Sequence, residues 1–238
     1  MSKINYFILL TAGLLLSVIV ISSCKKDPVN VPLQPVAGFM AFNLAADKPN
    51  VGFAISGSNL TNTAIGFTGY TGAYVSIYTG NREVQAYDFS SGTTISSQSA
   101  DFRDSTYNSG FLMGNNGVYR TIVVEDKLIP LTATTGKAWV RYVNAIADTL
   151  ASPIVTVSSN GDNTINEPAS FARVSEFQLV NAGPITIDVT DGAAISANRT
   201  ITVEENKIYT LLLVGVPNET DPTKIVQVKY IQNGQLSP

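Results

Sequence analysis

Histidine is absent from the 238-residue sequence, and cysteine occurs once, as Cys24. The absence of histidine excludes a catalytic triad built on histidine and a metal site with histidine ligands. A single cysteine excludes a fold held together by internal disulfides. Carboxylates, hydroxyls and aromatic rings are what remain, and the sequence predicts no cofactor, no metal site and no catalytic residue.

Charged residues are also scarce. They make up 14% of the chain, whereas soluble domains average roughly 25%. The formal net charge is −3, and no basic stripe is visible, which argues against a nucleic-acid partner. A surface with so few charges must be rich in Ser, Thr, Asn, Gln and Gly, as is common in extracellular β proteins.

The N-terminus carries the longest apolar run. Lys3 precedes FILLTAGLLLSVIVI (residues 7–21), and two small residues, Ser22 and Ser23, follow. A positively charged N-terminus, a short apolar stretch and small residues before the cleavage site are typical of a secretory signal peptide, here residues 1–23. A membrane-spanning helix needs about 20 residues, a length that the uncharged window 4–23 just reaches, so an uncleaved anchor is the alternative.

The end of this run resembles the lipobox of bacterial lipoproteins: an aliphatic residue and two small residues before cysteine, here residues 21–24. The resemblance implies that Cys24 receives a diacylglycerol thioether, that the signal is cut before it, and that the new amino group is acylated. Two or three lipid chains hold a protein on a membrane far more firmly than one. It also implies delivery to the outer membrane or cell surface, because Lys25 rather than aspartate follows. A chance cysteine near an ordinary cleavage site is the alternative.

A proline-containing stretch follows the cysteine, with Pro28, Pro32 and Pro35 close together. Such a composition favours an extended polyproline II tether. The predicted organisation is therefore a signal peptide (1–23), a lipidated cysteine with its tether (24–36), a first domain (37–130), a linker (131–136) and a second domain (137–238).

The two domains are predicted from an internal repeat. Three segments recur in the same order about a hundred residues apart: 37–47 with 138–148, 88–96 with 188–196, and 116–124 with 206–214. A period this long indicates a duplicated domain rather than a solenoid, whose units are about 20–50 residues long.

Each copy is predicted to be a β structure. Apolar residues alternate with polar ones over residues 184–190 (PITIDVT), as in a strand with one buried face. Asn-Gly and Asp-Gly pairs such as Asn116-Gly117 and Asp191-Gly192 mark turns between strands. With about seven strands per copy, the sequence predicts an all-β protein with two antiparallel β-sandwich domains of the immunoglobulin or transthyretin kind.

Aromatic residues concentrate in the first copy and provide the weak ligand-binding candidates. These are Tyr70, Tyr74, Tyr78 and Tyr107. Aromatic faces can stack on sugar rings or peptide side chains, although the same spacing suits a core and its rim. Trp139 is predicted to pack in a core or between the domains rather than to form a ligand platform.

The repeated polar residues are interpreted as structural. Asn43 and Asn144, with Asp47 and Asp148, are predicted to fix the turn after the first strand of each copy. The Tyr119 and Tyr209 hydroxyls are predicted to bond to backbone near a strand start, or to be simply buried. Paired carboxylates serve glycosidases, but Asp88 and Asp188 are predicted to be solvated strand residues. Asp101 and Asp104 lack the loop that binds calcium.

The opening strand and a later strand of the second copy resemble domain-of-unknown-function family 4397, found in secreted bacterial proteins. The matching residues are Ala138, Val140, Arg141, Val143, Asn144, Ala145 and Asp148, then Lys207, Tyr209, Thr210, Val214 and Gly215. The first copy departs from this pattern, with Met40, Arg120 and Glu125 taken as counterparts of Arg141, Thr210 and Gly215. The resemblance implies a secreted β fold and no particular chemistry.

The predicted function is therefore a lipid-anchored cell-envelope module with a binding or structural role and no catalysis. Its predicted partners are the membrane, through lipid on Cys24, and an extracellular glycan or protein. Two alternatives stay open: a glycan-binding accessory lipoprotein, favoured by aromatics exposed on one face, and a fimbria-like adhesion subunit, favoured by an exposed edge strand.

Overall fold

The computed structural model describes residues 34–237, and residues 35–237 belong to one compact unit. The predicted signal peptide, Cys24 and most of the predicted tether lie outside the described residues. Within residues 34–237 every regular element is a strand, and no helix is long and apolar enough to cross a membrane.

Sixteen strands fall into two sets of eight, one set for each copy of the repeat. Sandwich one contains β1 Val36–Ala45, β2 Val51–Ile55, β3 Ser58–Asn59, β4 Val75–Tyr78, β5 Gly80–Asp88, β6 Thr94–Phe102, β7 Tyr107–Asn115 and β8 Val118–Glu125. Sandwich two contains β9 Lys137–Ile146, β10 Ile154–Ser159, β11 Asp162–Pro168, β12 Gln178–Asn181, β13 Gly183–Asp191, β14 Ile195–Val203, β15 Lys207–Gly215 and β16 Gln227–Gln235.

The two sandwiches share one topology. Sandwich one pairs a sheet of order β4-β1-β7-β8 with a sheet of order β3-β2-β5-β6, and sandwich two repeats this as β12-β9-β15-β16 with β11-β10-β13-β14. The predicted all-β class and the two sandwiches are confirmed. Most neighbours are antiparallel, but β1 with β7 and β9 with β15 run parallel in the centre of their sheets.

The structure tests each matched segment of the repeat. Residues 37–47 and 138–148 fall on β1 and β9 with their turns, so the first match is confirmed. The third match is wrong, because 116–124 falls on β8, whereas 206–214 falls on β15, whose counterpart is β7. The second match is displaced, because Asp88 ends β5 and its counterpart is Asp191, which ends β13, rather than Asp188.

Each sandwich has its own core. Phe39, Phe53 and Phe102 are fully buried between the two sheets of sandwich one. Tyr142 and Leu211 are fully buried between the sheets of sandwich two. Alternate residues on the same strands point away from these cores, since successive strand side chains face opposite sides.

A third core lies between the sandwiches. It contains Phe42 and Phe111 from sandwich one with Val143 and Leu212 from sandwich two, all fully buried. The sheets of β1 and of β9 supply it, and we call them the inner sheets and their two partners the outer sheets. Val143 and Leu212 thus belong to this shared core and not to the core of sandwich two. The contact is extensive because the inner strands are apolar and buried on both faces.

Candidate binding surface

The structure divides the four predicted tyrosines into two pairs. Tyr70 stacks on Phe42 in the shared core, with ring centroids 5.4 Å apart. Tyr74 lies at the edge of that core and donates its hydroxyl proton to Asp126 over 2.5 Å. Tyr78 and Tyr107 remain 59% and 41% exposed. The second pair is therefore the more exposed, although Tyr70 also lines a cleft at the side of sandwich one.

Tyr74 belongs to a buried polar network that joins the sandwiches. The Arg141 guanidinium lies 2.7 Å from an Asp126 carboxylate oxygen, and both side chains are almost completely buried. Ser109 donates to the other carboxylate oxygen over 2.7 Å, and Arg141 donates to the Thr210 hydroxyl over 3.0 Å. Every charged member therefore has partners, which is the condition under which buried charges are tolerated.

This network was not predicted, although one of its residues carries a signal in the sequence. Arg141 interrupts the apolar run of β9 and belongs to the motif of the second copy. A lone charge inside a buried strand indicates a buried partner, since unpaired charges are rarely buried. Nothing in the sequence points to Asp126, which lies just after β8 in sandwich one.

Alkaline pH is expected to weaken the fold through Tyr74. Burial and the negative charge of Asp126 raise the pKa of Tyr74 above its ordinary value. The unfolded chain loses this proton near pH 10, about the ordinary tyrosine pKa. The contribution to stability is therefore complete below about pH 10 and is lost as the pH rises further.

Urea unfolding across the alkaline range measures this loss. Tyr74→Phe should make the decline of the unfolding free energy with pH shallower, because it removes the group whose pKa differs between the two states. Tyr230→Phe is the matched control, since it removes a hydroxyl from an exposed ring in sandwich two. An unchanged decline in Tyr74→Phe would contradict the assignment.

The exposed tyrosines lie on one surface of the inner sheet of sandwich one. Tyr78 is opposite Val36 and Tyr107 is opposite Gly38, so all four face the same side of the sheet. Gly38 is required there, because a Cβ atom would lie 2.8 Å from the Tyr107 ring. This end of the sheet is not covered by sandwich two, since Val36 is also 41% exposed.

A cleft adjoins this surface at the side of sandwich one. We call it the edge cleft: it lies between β4 on one side and β3 with loop residues 60–66 on the other. It has two connected parts of about 300 and 350 Å³ that share Leu60 and Val75. It exists because β3 has two residues, whereas its counterpart β11 has seven.

The edge cleft combines an apolar floor with polar rims. Ile55, Leu60 and Ile77 line it with the aromatic ring of Tyr78, and Arg82 lies at one end. The Arg82 guanidinium donates twice to the Thr79 carbonyl, over 3.2 and 3.1 Å, which holds its planar fork in place. Arg82 is the one charged side chain among the residues that line either part.

A second groove lies where the sandwiches meet and was not predicted. It measures about 480 Å³ and is lined by Pro49 and Phe67 from sandwich one and by Pro222, Lys224 and Lys229 from sandwich two. Sequence reasoning had no signal for it, because the groove forms only when two distant segments pack together. Lys224 lies 3.8 Å from Asp221, which reduces the charge that the groove presents.

The repeated asparagines have the predicted structural role. Asn43 accepts a hydrogen bond from the Ala45 backbone and donates to the Lys48 and Ile65 carbonyls. Asn144 accepts from Ile146 and donates to Ala169 in the same way. Both are buried, so they fix the turn after each opening strand.

The repeated aspartates differ from each other. Asp148 accepts from the Leu150 and Ala151 backbones and fixes its own turn as predicted. Asp47 instead accepts from the Asn116 backbone and the Tyr119 hydroxyl, so it ties β1 to the turn between β7 and β8.

The tyrosine prediction holds for Tyr209, whose hydroxyl accepts the Glu204 backbone N–H over 3.1 Å. Tyr119 makes no such backbone bond: its hydroxyl donates to the Asp47 side chain, and its ring packs against the core of sandwich one, which is closer to the alternative of simple burial. Trp139 is partly buried and donates its indole N–H to the Thr132 carbonyl, which fastens the linker to β9.

The remaining carboxylates make local contacts. Asp88 accepts from the Ser91 backbone and hydroxyl, and these bonds lower its pKa. Asp188 accepts from the Asn198 side chain, and Asp104 accepts from the Val36 backbone over 3.1 Å. Within residues 34–237, no three acidic or sulfur side chains gather as a metal site would need.

Comparison with known proteins identifies one family. The family described as "Domain of unknown function (DUF4397)" matches residues 39–151 and again residues 138–236. No curated protein matches the chain.

Two solved structures resemble the fold at 12% identity. Family 41 carbohydrate-binding modules from streptococcal virulence factors, reported for alpha-glucan recognition, match with a TM-score of 0.24, covering 81% of this chain and 96% of theirs. A proposed cell adhesion protein from Bacteroides eggerthii matches with a TM-score of 0.25, covering 85% of this chain and 96% of its own. Similarities this distant carry no argument about function.

Proposed function

The chain belongs to the DUF4397 family, and from the surfaces of its first copy we propose that it is a non-catalytic binding protein, held by lipid at the outer membrane or cell surface. The lipobox-like residues 21–24 support the anchor. The ligand is an extracellular glycan or protein, and it binds at the edge cleft and the adjoining Tyr78 surface.

The edge cleft is the observation that carries this proposal. It is concave, its floor is apolar, and a few polar groups surround it, which is the usual composition of a binding site. Tyr78 adds an exposed ring and Arg82 a fixed charge, two residue types that often dominate binding energies. In sandwich two the counterpart of Tyr78 is Asn181, which lacks an aromatic face and accepts a hydrogen bond from Lys137.

Binding is tested with the chain from Lys25 onward, which keeps the whole compact unit. It is applied to a glycan array and to an array of immobilised extended peptides. Tyr78→Ala should weaken binding to the recognised class by about tenfold, or about 1.4 kcal/mol. Tyr230→Ala is the matched control, because it removes an exposed tyrosine near Arg199 in sandwich two. The binding proposal would be overturned if neither array showed binding, or if Tyr78→Ala bound as tightly as the wild-type chain.

The anchor is tested separately in cells. Cys24→Ser should move the protein from the detergent phase to the aqueous phase after phase separation, because no thiol remains for lipid attachment. Ser23→Ala keeps a small residue before the cysteine and should leave the protein in the detergent phase. Retention of the Cys24→Ser protein in the detergent phase would mean that something other than lipid on Cys24 holds it.

A further inference from the structure

We infer that the edge cleft binds an extended peptide, which pairs with β4 as an added strand of the inner sheet and places a carboxylate beside Arg82. This inference rests on the proposed function and names the class of ligand. It depends on the backbone of β4, on how the other edges are covered, and on the side chains that line the cleft.

The backbone of β4 has groups available for pairing. Val36 is opposite Tyr78 and Ala37 is opposite Ile77. The Thr79 N–H donates to the Pro35 carbonyl over 3.4 Å, so in this antiparallel ladder Thr79 and Ile77 direct their backbone groups toward β1. Pairs alternate in such a ladder, and Ser76 and Tyr78 therefore direct their N–H and C=O groups outward. Within residues 34–237 these outward groups have no hydrogen-bond partner.

The opposite edge of the same sheet is covered. Ser96 accepts the Thr121 N–H and Gln98 accepts the Val123 N–H, each over 2.9 Å. Side chains of β6 thus accept hydrogen bonds from backbone N–H groups of β8 that point away from β7. Proteins commonly cover edge strands because an open edge invites another strand. The open edge at β4 is therefore the side of this sheet that can accept one.

The same kind of cover recurs in sandwich two. Arg199 of β14 donates to the Val228 carbonyl of β16 over 2.7 Å. On the other side of sandwich two, β11 lies against β12. The two-residue β3 leaves the corresponding space beside β4 open, and the edge cleft occupies it.

The cleft side chains suit a peptide strand. Alternate side chains of an added strand would point to the apolar floor formed by Ile55, Leu60 and Ile77. Strand addition gains affinity from main-chain hydrogen bonds and specificity from such pockets. Arg82 favours an anion, and its planar fork suits a carboxylate in particular. A sugar stacked on Tyr78 would use neither the outward N–H groups nor this floor.

The experiment follows backbone amides by NMR in the chain from Lys25. The probe is the hexapeptide acetyl-Thr-Val-Thr-Val-Thr-Val with a free C-terminal carboxylate, and its C-terminal amide is the second probe. The carboxylate peptide should shift the Ser76 and Tyr78 amide signals and slow their hydrogen exchange. Arg82→Gln should weaken binding of the carboxylate peptide about tenfold and leave the amide peptide unchanged.

A backbone variant separates strand pairing from side-chain contact. Ser76→Pro removes one outward N–H, and proline is tolerated on a strand edge that faces solvent. It should abolish binding of the peptide. Leu179→Pro is the matched control, because Leu179 occupies the corresponding outward position of β12, and it should leave binding unchanged.

Three results would overturn the inference. One is the absence of any shift at Ser76 and Tyr78 at millimolar peptide. Another is glycan binding that Tyr78→Ala weakens and Ser76→Pro leaves unchanged. That result would support the proposed function and contradict the peptide as the ligand. The third is a dimer in sedimentation that Ser76→Pro dissociates, because a second copy would then occupy β4.

Discussion

Arg141→Ala is expected to lower the free energy of unfolding by about 3–5 kcal/mol, since removing one partner of a buried ion pair leaves the other charge buried and unpaired. Asp126 is 1% exposed and would keep only its bonds from Ser109 and Tyr74. Chemical denaturation of the chain from Lys25 measures the loss. The pair also joins sandwich two to the segment that follows β8.

Lys127→Ala provides the matched control. Lys127 and Glu176 form another ion pair between the same two parts of the chain, but their side chains are 58% and 73% exposed. Solvent screens exposed pairs strongly, so they contribute little to stability, and this variant should be close to wild type. The double variant Asp126→Asn with Arg141→Met should recover part of the loss, because no buried charge remains. Equal losses in Arg141→Ala and Lys127→Ala would contradict the buried pairing.

Leu212→Ala is expected to destabilise both sandwiches together, by about 2–5 kcal/mol for a fully buried leucine. The effect extends to sandwich one because Leu212 lies in the shared core with Phe42 and Phe111. Calorimetry of the chain from Lys25 should give one transition at a lower temperature, and hydrogen exchange should accelerate in β1 and β7 as well as β15.

Leu211→Ala is the matched control for this experiment. Leu211 is the neighbouring residue, is equally buried, and faces the core of sandwich two. Leu211→Ala should lower the free energy of unfolding by a similar amount. It should accelerate hydrogen exchange in β1 and β7 less than Leu212→Ala does. Residues 137–238 alone should self-associate, because Val143 and Leu212 would lose their cover. A monomeric fragment as stable as the whole chain would contradict a shared core.

The repeat and the strand patterns were enough to predict the class of fold. Residues 184–190 alternate because β13 has one buried face, and this alternation predicts a strand. The match of 37–47 with 138–148 was correct because the buried asparagines near the ends of β1 and β9, Asn43 and Asn144, make equivalent hydrogen bonds to the backbone. Polar residues at such positions show where a strand ends, so the strands of the two copies can be aligned from the sequence.

The inner strands do not show this alternation of apolar and polar residues. Residues 207–215 are buried on both faces, so no alternation is left to fix register or to assign a face to a core. That is why β15 was matched with β8 rather than with β7, and why the shared core was not predicted. The tyrosine candidates were ambiguous for a related reason: Tyr74 and Tyr78 lie four residues apart, yet one borders a core and the other faces solvent.

The position of β1 has a mechanical consequence. Any load that reaches the compact unit from the N-terminal side enters at the first residues of β1. From Gly38 to Ala45 this strand runs parallel to β7, and from Val36 to Phe39 it is also bonded to β4. A pull along the strand axis must therefore shear both ladders at once, whereas a pull across it would break one pair at a time. A force applied to a ligand on β4 would pass to β1 through the hydrogen bonds between these neighbouring strands. The outer sheets and sandwich two would then not lie between the ligand and the N-terminal side of the chain.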